Sequence, residues 1–517
     1  LDSDNMENFK QAIMVYQEDL EKLTPTRIAE FIRHHYSYQR PRLQRLLDYY
    51  QGHNDDILEP DTRRNEKGKA DHRAVHSFAK YIADFQTSYS VGNAINLSGV
   101  SSDSLDKFNQ VNDINTLNYD LFLDMSTFGR AYEYIYHGKD GIDHSVKLDP
   151  RETFVIYDTS VDPQPVMTVR YHEVQDISAT GAPVIKYVPE TWTKEKHVTY
   201  KPVDVAGSVT APEQVDEQVQ VAFPVIEYKN NAFRQGDYEN VLTLIDLYDA
   251  AQSDTANYMT DFNEALLVIE GNIDTLFDDS VLLQSIDPND EESMKKLAQD
   301  RLEQLERMRQ ANMLLIKSGI DSTGKQTSAD AKYIHKEYDS TGTEVYKKRL
   351  ASDIHKFSHT PDLTDENFAS NASGVAMKYK ILGTVELAST KRKQFERGLT
   401  ARYNTVSTIE EAVSGEWDVD ANKINFIFKD NMPTDDIAII TSLVQAGAQL
   451  PQEYLYQYLP NVSDADEIID MMDKQRQRMG GYATKNGVLT NGTSGNGDGD
   501  EEVRGQQGEP ENQRTSN

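Results

Sequence analysis

The stretch KEYDSTGTEVYKKRLASDIHKFSHTPDLTDENFASNASGVAMKYKILG, Lys336 to Gly383, places a polar loop between two helical segments. In TGTEVYKKRLASDIHKFS the apolar residues Tyr346, Leu350, Ile354 and Phe357 recur at three- and four-residue spacing, which predicts a helix with one apolar face. The chain then turns acidic and rich in Thr and Asn before Ser373 caps a further helix, GVAMKYKILGTVELASTKRKQFERGLTARY. In a lone subunit such a loop is surface filler; in a ring it faces the hole. Over 374–402 the following helix carries Lys378, Lys380, Lys391, Arg392, Lys393, Arg397 and Arg402 against only Glu386 and Glu396. Either its bases pair with neighbouring acids on a solvated face, or it is a basic element for subunit or phosphate contact. Gly383 marks a kink or a close approach within it.

Working outward, QGDYENVLTLIDLYDAAQSDTANYMTDFNEALLVIEG sets Val241, Leu244, Ile245, Tyr248, Ala251, Tyr258, Met259 and Phe262 at helical spacing. A helix over Asp237–Glu264 would be roughly 40 Å long at ~1.5 Å per residue. The insert after it reads as strand LLVIEG, acidic linker SIDPNDEES, helix MKKLAQDRLEQLERMRQ and strand NMLLIKSG. Two long helices flanking a small α/β insert form a stalk with a tip.

Toward the N-terminus, residues 24–52 read as helix, capped by Thr24 or Thr26, stopped at Gly52 and split in two by Pro41. AVHSFAKYIADFQTSYSVG carries a stripe of Val75, Phe78, Ile82 and Phe85. From about 117 to 228 the period shortens to two. A hairpin turning at Lys139-Asp140-Gly141 is followed by further strands, so the region to about 230 is α+β. WDVDANKINFIFKDNMP reads as a strand returning to that β region. The chain beyond Pro433 is helical, and 480–517 is a low-complexity, disordered tail.

Composition narrows the function. The 517 residues allow roughly two to four domains. A formal charge of −32 argues against a conventional nucleic-acid binder, which presents a basic face. The acidity serves either solubility alone or a protein that DNA must slide past without sticking. With no cysteine there is no disulfide and no thiolate metal site. No apolar run reaches the ~20 residues that span a bilayer, and LDSDNMENFK is the opposite of a signal peptide. Beginning on Leu rather than Met, the chain is expected to be trimmed or processed.

Motifs for chemistry are lacking. HRAVH puts His72 and His76 on one helix face, but Arg73 stands where a zincin needs Glu, and no third ligand is in view. His34 and His35 read as helix-surface or interface residues. GNGDGDEE has the wrong spacing for a calcium loop, and the NAS at Asn371 lacks the secretory context of a glycosylation site. Phosphate-binding glycine loops and a nucleophile elbow are missing. Asp278-Asp279, Asp290 to Glu292 and Asp435-Asp436 sit in linkers or at helix starts, where carboxylates suit the helix dipole. No catalytic set, metal site or cofactor is expected.

Several segments together resemble the portal proteins of long-tailed bacteriophages, the type found in phages of Gram-positive bacteria. LLDYYQG followed by HRAVHSFAKYIADFQTSYSVG is similar to that family's N-terminal region, with Tyr-Tyr-x-Gly ahead of a Phe-Ala-Lys-Tyr-Ile helix ending at Gly. GRAYEYIYHGKDG and PRETFVIYD resemble its wing hairpins, and FPVIEYKNNAFRQGDYENVLTLIDLYDAAQSDTAN its entry into the stem. The opening stretch resembles the second stem helix, tunnel loop and long helix, and these last two segments are the most specific. The likeness runs from about 40 to 470 and departs at VDVAGSVTAPEQVDEQ and in the tail.

The resemblance implies a non-enzymatic, dodecameric ring at one capsid vertex, through which the genome is packaged and ejected. The implied fold class is α+β and multidomain. Residues 1–234 would be the N-terminal region and wing, 235–265 and 334–357 the two stem helices, and 266–333 a small α/β clip. Residues 358–373 would be the tunnel loop, 374–430 the long helix and the wing's return strand, 431–479 the helical crown and 480–517 the tail. The implied loop residues at the DNA are Thr360, Asp362, Leu363, Thr364, Asp365, Glu366, Asn367 and Phe368. Asp287, Asp290, Glu291 and Glu292 would belong to the clip surface docking the large terminase subunit and then the head-tail adaptor. Other implied partners are copies of this chain, double-stranded DNA, and the major capsid and scaffolding proteins, with no membrane. The implied setting is the virion, after assembly in the host bacterial cytoplasm. The alternatives are another capsid-associated oligomeric scaffold or adaptor, and a metal-dependent nuclease or hydrolase built on the acid clusters.

Overall fold

The computed structural model describes residues 15–59, 70–100, 102–177, 183–205, 211–261, 266–270, 290–310, 319–320, 326–327, 330–334, 339–363, 381–413, 417–431, 471–472 and 474–475. The chain divides into two compact units, Leu1–Met432 and Pro433–Asn517. The architecture below is that of the first; the anticipated crown and tail lie almost wholly outside the described residues.

Strand β1 (Tyr16–Gln17) precedes helix α1 (Pro25–His34). Thr24 caps α1 by accepting from the Arg27 backbone N–H at 3.3 Å, and Pro25 enters at the position where no amide partner is missed. Pro41 does not split the segment. A π-helical turn, His35–Gln39, carries the chain straight into α2 (Arg40–Tyr50). The Arg40 N–H reaches back five residues to His35 O, and the widened turn takes up the defect that a proline makes in an α-helical ladder. The bulge also turns His35 inward. It is fully buried, stacked on Phe154 and 2.6 Å from the Tyr171 hydroxyl, so it is a core residue and not a surface one. Burial holds it neutral, far below the usual histidine range. The segment stops where expected, at Gly52 with φ +80°.

Residues 71–77 form neither helix nor strand, and α3 spans Phe78–Val91. Strand β2 (Asn96–Ser98) leads to α4 (Asp103–Val111) and α5 (Ile114–Phe128), so the helical period persists past residue 117 and β structure begins at 130. The anticipated hairpin is present as β3 (Arg130–His137) and β4 (Asp143–Leu148). After them come β5 (Thr153–Tyr157), β6 (Pro165–Ile177), β7 (Pro183–Trp192), β8 (Lys196–Tyr200), β9 (Gln214–Val219) and β10 (Val225–Lys229). One sheet of six strands runs β1-β5-β6-β7-β8-β9, with β1 parallel to β5 and the other pairs antiparallel. A second runs β10-β3-β4.

A 3-10 turn, Glu239–Val241, opens α6 (Leu242–Asp261), which is shorter among the described residues than the anticipated 237–264. In the insert, β11 (Leu266–Glu270) and α7 (Glu291–Gln310) fall where expected. NMLLIKSG lies outside the described residues except Gly319, which starts β12 (Gly319–Ile320). Strand β12 pairs with β13 (Gln326–Thr327), while the partner of β11 is β14 (Asp330–Ile334), antiparallel, closing the two ends of the insert on each other. Helix α8 (Ser340–Phe357) returns, capped by Asp339 accepting from Gly342 N–H at 2.8 Å.

Helices α6 and α8 form an antiparallel pair. Asn240 donates to Phe357 O at 3.0 Å, Ile354 shares an apolar cluster with Ile245, and Lys347 Nζ reaches Gln252 Oε1 at 3.1 Å. The expected face of α8 holds only in part: Leu350 and Ile354 are buried, whereas Tyr346 and Phe357 are exposed. Helix α9 (Leu382–Val413) runs well past residue 403; its anticipated start at 374 and the Ser373 cap lie outside the described residues. Gly383 is a close approach, since a Cβ there would sit 3.0 Å from His359 Nδ1. Strand β15 (Asn425–Ile427) does not rejoin either large sheet. It pairs with β2 in a ribbon of its own.

The main core gathers α4, α5, β3, β10 and α9 around Phe122, Phe395, Leu399 and Tyr403. At Gly398 a Cβ would lie 2.2 Å from the Tyr228 ring, so only glycine lets α9 lie this close to β10. Among the described residues no helix is long and apolar enough to cross a membrane.

Candidate functional site

The loop after α8 leaves from a knot of hydrogen bonds. His359 has φ +53°, a left-handed conformation that a non-glycine residue adopts only when held there. Gln86 of α3 donates to His359 O and to Thr360 Oγ1, both at 3.2 Å, and Thr384 of α9 donates to His359 O at 2.5 Å. His355 Nδ1 faces Thr360 O at 3.1 Å, so that nitrogen carries the proton. Tyr81 donates to Pro361 O at 2.8 Å. Thr360, a candidate loop residue, is therefore a buried anchor at 2% exposure. Beyond Pro361, Asp362 lies 4.0 Å from His355 Nε2 with its side chain partly exposed, and Leu363 is half exposed. Thr364, Asp365, Glu366, Asn367 and Phe368 lie outside the described residues, as do Lys378 and Lys380.

The basic helix separates into two faces. Lys391 and Arg402 stand eleven residues apart, three turns, on the same side as Phe395 and Leu399. Lys391 is buried against Asp237, which also accepts from Ser126 Oγ and, at 2.9 Å, from Asn230 Nδ2. Burial drags the lysine below its ordinary range even with Asp237 beside it. Arg402 donates to Glu133 at 2.6 Å and to Asn118 at 2.7 Å, while Tyr228 and Ser145 also donate to Glu133. Arg392 closes the end of α3, donating to Ser90 O at 3.0 Å, Tyr89 O at 3.1 Å and Asp430 at 2.7 Å. Lys391 and Arg392 are thus committed within their own subunit. Lys393 and Arg397 are exposed.

The approach to α6 is clamped by the same means. Arg42 of α2 holds Glu239 with two 2.6 Å bonds and reaches Arg234 O at 3.0 Å. Arg234 pairs with Glu227 at 2.6 and 2.9 Å. Burial opposes charge on Glu227, but Arg234 outweighs it and holds the carboxyl at about 2.

Further along α6 the buried face is polar, not the anticipated apolar stripe. Asp249, Ser253 and Asn257 are fully buried and accept from the backbone N–H of His76, Ala74 and His72, at 2.9, 2.9 and 2.5 Å. Alternate amides of 72–76 thus meet side chains spaced four residues apart along α6. HRAVH is therefore a strap along α6 rather than a helical histidine pair. In the insert, Asp290 caps α7, accepting from Ser293 Oγ at 2.6 Å, which lowers its pKa. Glu291 pairs with Lys295 at 2.9 Å and Glu292 is exposed. Asp287 lies outside the described residues.

One buried carboxyl makes stability depend on pH. Asp124 of α5 is raised to about 7 by burial, which Lys147 at 3.1 Å only partly offsets. Between its ordinary value near 4 and about 7 the folded chain holds a proton that the unfolded chain has lost, so this group's contribution falls as pH rises across that window. Asp124→Asn is expected to narrow the difference in Tm between about pH 5 and about pH 8. An unchanged difference would contradict the burial argument.

The sequence profile of the family described as "Phage portal protein, SPP1 Gp6-like" matches residues 29–481. The portal protein of Clostridium phage phiCD119 is 22% identical over 457 residues, covering 83% of this chain and 91% of its own. The portal protein of Bacillus phage SPP1 is 20% identical over 447 residues, covering 83% and 80%.

Proposed function

As the chain belongs to the SPP1 Gp6-like family of phage portal proteins, we propose that its copies form a ring at one capsid vertex and act as the conduit for genome packaging and ejection. In this reading the two sheets with α1–α5 are the wing, α6 and α8 the stem, 266–333 the clip, 358–373 the tunnel loop and 431–479 the crown. The ring, a dodecamer in the virion, admits double-stranded DNA and docks the large terminase subunit, then a head-tail adaptor. Its task is structural, not enzymatic.

The observation that carries the ring is the surface of the α6/α8 pair. Leu247 and Met259 on α6, and Val345, Tyr346 and Phe357 on α8, are each about half exposed or more in the single subunit. Identical neighbours offer the cover that this subunit lacks. Among the described bases of that helix, the exposed Lys393 and Arg397 would be the ones to meet a neighbour or DNA. Negative-stain electron microscopy of the purified protein is expected to show rings with an axial channel. A protein that stays monomeric under all assembly conditions overturns the reading.

Deleting Asp362–Phe368 tests the loop. The deletion begins beyond the Thr360 and Pro361 anchors, so rings are expected to form while DNA packaging is lost. Packaging at the wild-type level would remove the loop from the mechanism.

A further inference from the structure

The β3–β4 hairpin closes on a pair of directly opposed residues, His137 and Asp143, with Nδ1 and Oδ1 2.7 Å apart. Asp143 is 3% exposed, and its other oxygen, Oδ2, meets no hydrogen-bond donor among the described residues. What faces this carboxyl is a second one, Glu410, in the last turn of α9. Donor atoms of all three residues lie within 4.8 Å of one another. Two facing carboxylates repel unless something positive lies between them, and the negative end of the α9 dipole adds to the strain on Glu410. The backbone of Asp143 is fixed from outside the cluster. Asn112 donates to Asp143 O at 3.0 Å and accepts from Ser145 N–H at 2.8 Å.

We propose that His137, Asp143 and Glu410 bind a divalent cation of the Zn²⁺ or Mn²⁺ class, clasping the tip of the β3–β4 hairpin to the end of α9. One imidazole with two carboxylates suits these ions, whereas Ca²⁺ and Mg²⁺ favour sets of oxygen donors alone. The ion replaces the His137–Asp143 hydrogen bond and satisfies the orphaned Oδ2. His137 and Glu410 are each partly exposed, which leaves an entry path and coordination positions for water.

Titration calorimetry on the full chain, freed of metal by a chelator, tests this with ZnCl₂ and MnCl₂ as probes. The expected result is one ion per subunit and a rise in Tm that chelator reverses. Glu410→Gln and His137→Gln should each weaken Zn²⁺ binding by at least the roughly 10–100-fold typical of losing a supporting partner at a metal site. No stoichiometric binding, tighter binding of Ca²⁺ than of Zn²⁺, or affinity unchanged in either variant overturns the proposal. A shared proton between the two carboxyls is the rival state. It predicts that Glu410→Gln raises Tm at neutral pH while metal has no effect, and that result also overturns it. X-ray absorption of the Zn²⁺-loaded wild type does not depend on any variant folding. One imidazole nitrogen among oxygen ligands is expected, and a spectrum without imidazole refutes the site.

Discussion

Arg402→Met is expected to destabilise the folded subunit by about 3–5 kcal/mol, the usual cost of stranding one member of a buried ion pair. Arg402 and Glu133 are both fully buried, and among the described residues the arginine is the only charged group that the hydrogen bonds bring to Glu133. Without it, Glu133 keeps the Tyr228 and Ser145 hydroxyls but no counter-charge, and Asn118 Oδ1 loses its donor. These groups belong to α9, β3, β10, β4 and α5, so the loss falls on the joint between the long helix and the three-stranded sheet. Urea unfolding of the monomeric subunit reads it as a lower midpoint at unchanged slope. The double variant Arg402→Met with Glu133→Gln is expected to recover part of the loss, because the stranded charge is gone. A single-variant effect below about 1 kcal/mol would mean that water or the hydroxyls already carry Glu133.

Leu350→Asp is expected to cost at least about 3 kcal/mol and to act locally. Leu350 is 5% exposed one turn before Ile354, on the face of α8 turned to α6. Aspartate removes most of that apolar volume and buries a carboxyl in its place. Hydrogen exchange should accelerate across α6 and α8 while β3, β4 and β10 stay protected. Tyr346→Asp is the contrast. Tyr346 is 46% exposed, so in the monomer the change should stay within about 0.5 kcal/mol. If the proposed ring covers that side chain with a neighbour, the change should nevertheless weaken ring assembly. Equal monomer effects at the two positions would contradict the assignment of the faces.

The pattern of apolar residues was enough to locate most elements. The β3–β4 hairpin, the Thr24 cap and the helices α6 to α8 sit where period and punctuation put them, because those signals act over a few residues. The misreadings share a cause. Pro41 breaks a helix only if the preceding turn is α-helical, and a π turn removes that condition. HRAVH has helical spacing but is not helical, because its N–H groups find the side chains of Asp249, Ser253 and Asn257, about 180 residues away. Tyr346 and Phe357 match the period of Leu350 and Ile354, yet periodicity does not say whether a side chain is covered by its own subunit or by another.

The candidate site divides the same way. That Lys391 and Arg402 share the period of Phe395 and Leu399 was legible, and this inward register was the available sign that they are buried. Nothing near them in the chain names Asp237 or Glu133 as partners. His137, Asp143 and Glu410 were not singled out at all, since the third is some 270 residues from the others.

The sequence by itself determined the order of most elements, the α+β class and the resemblance to portals, and the family match bears out that resemblance. All of these rest on local periodicity and on an ordered set of segments. The tertiary structure alone decided which charges are buried pairs, where the loop is tied down and which carboxyls face each other. Those depend on distances between residues far apart in the chain, and a buried charge is set by the one partner that packing brings within about 3 Å.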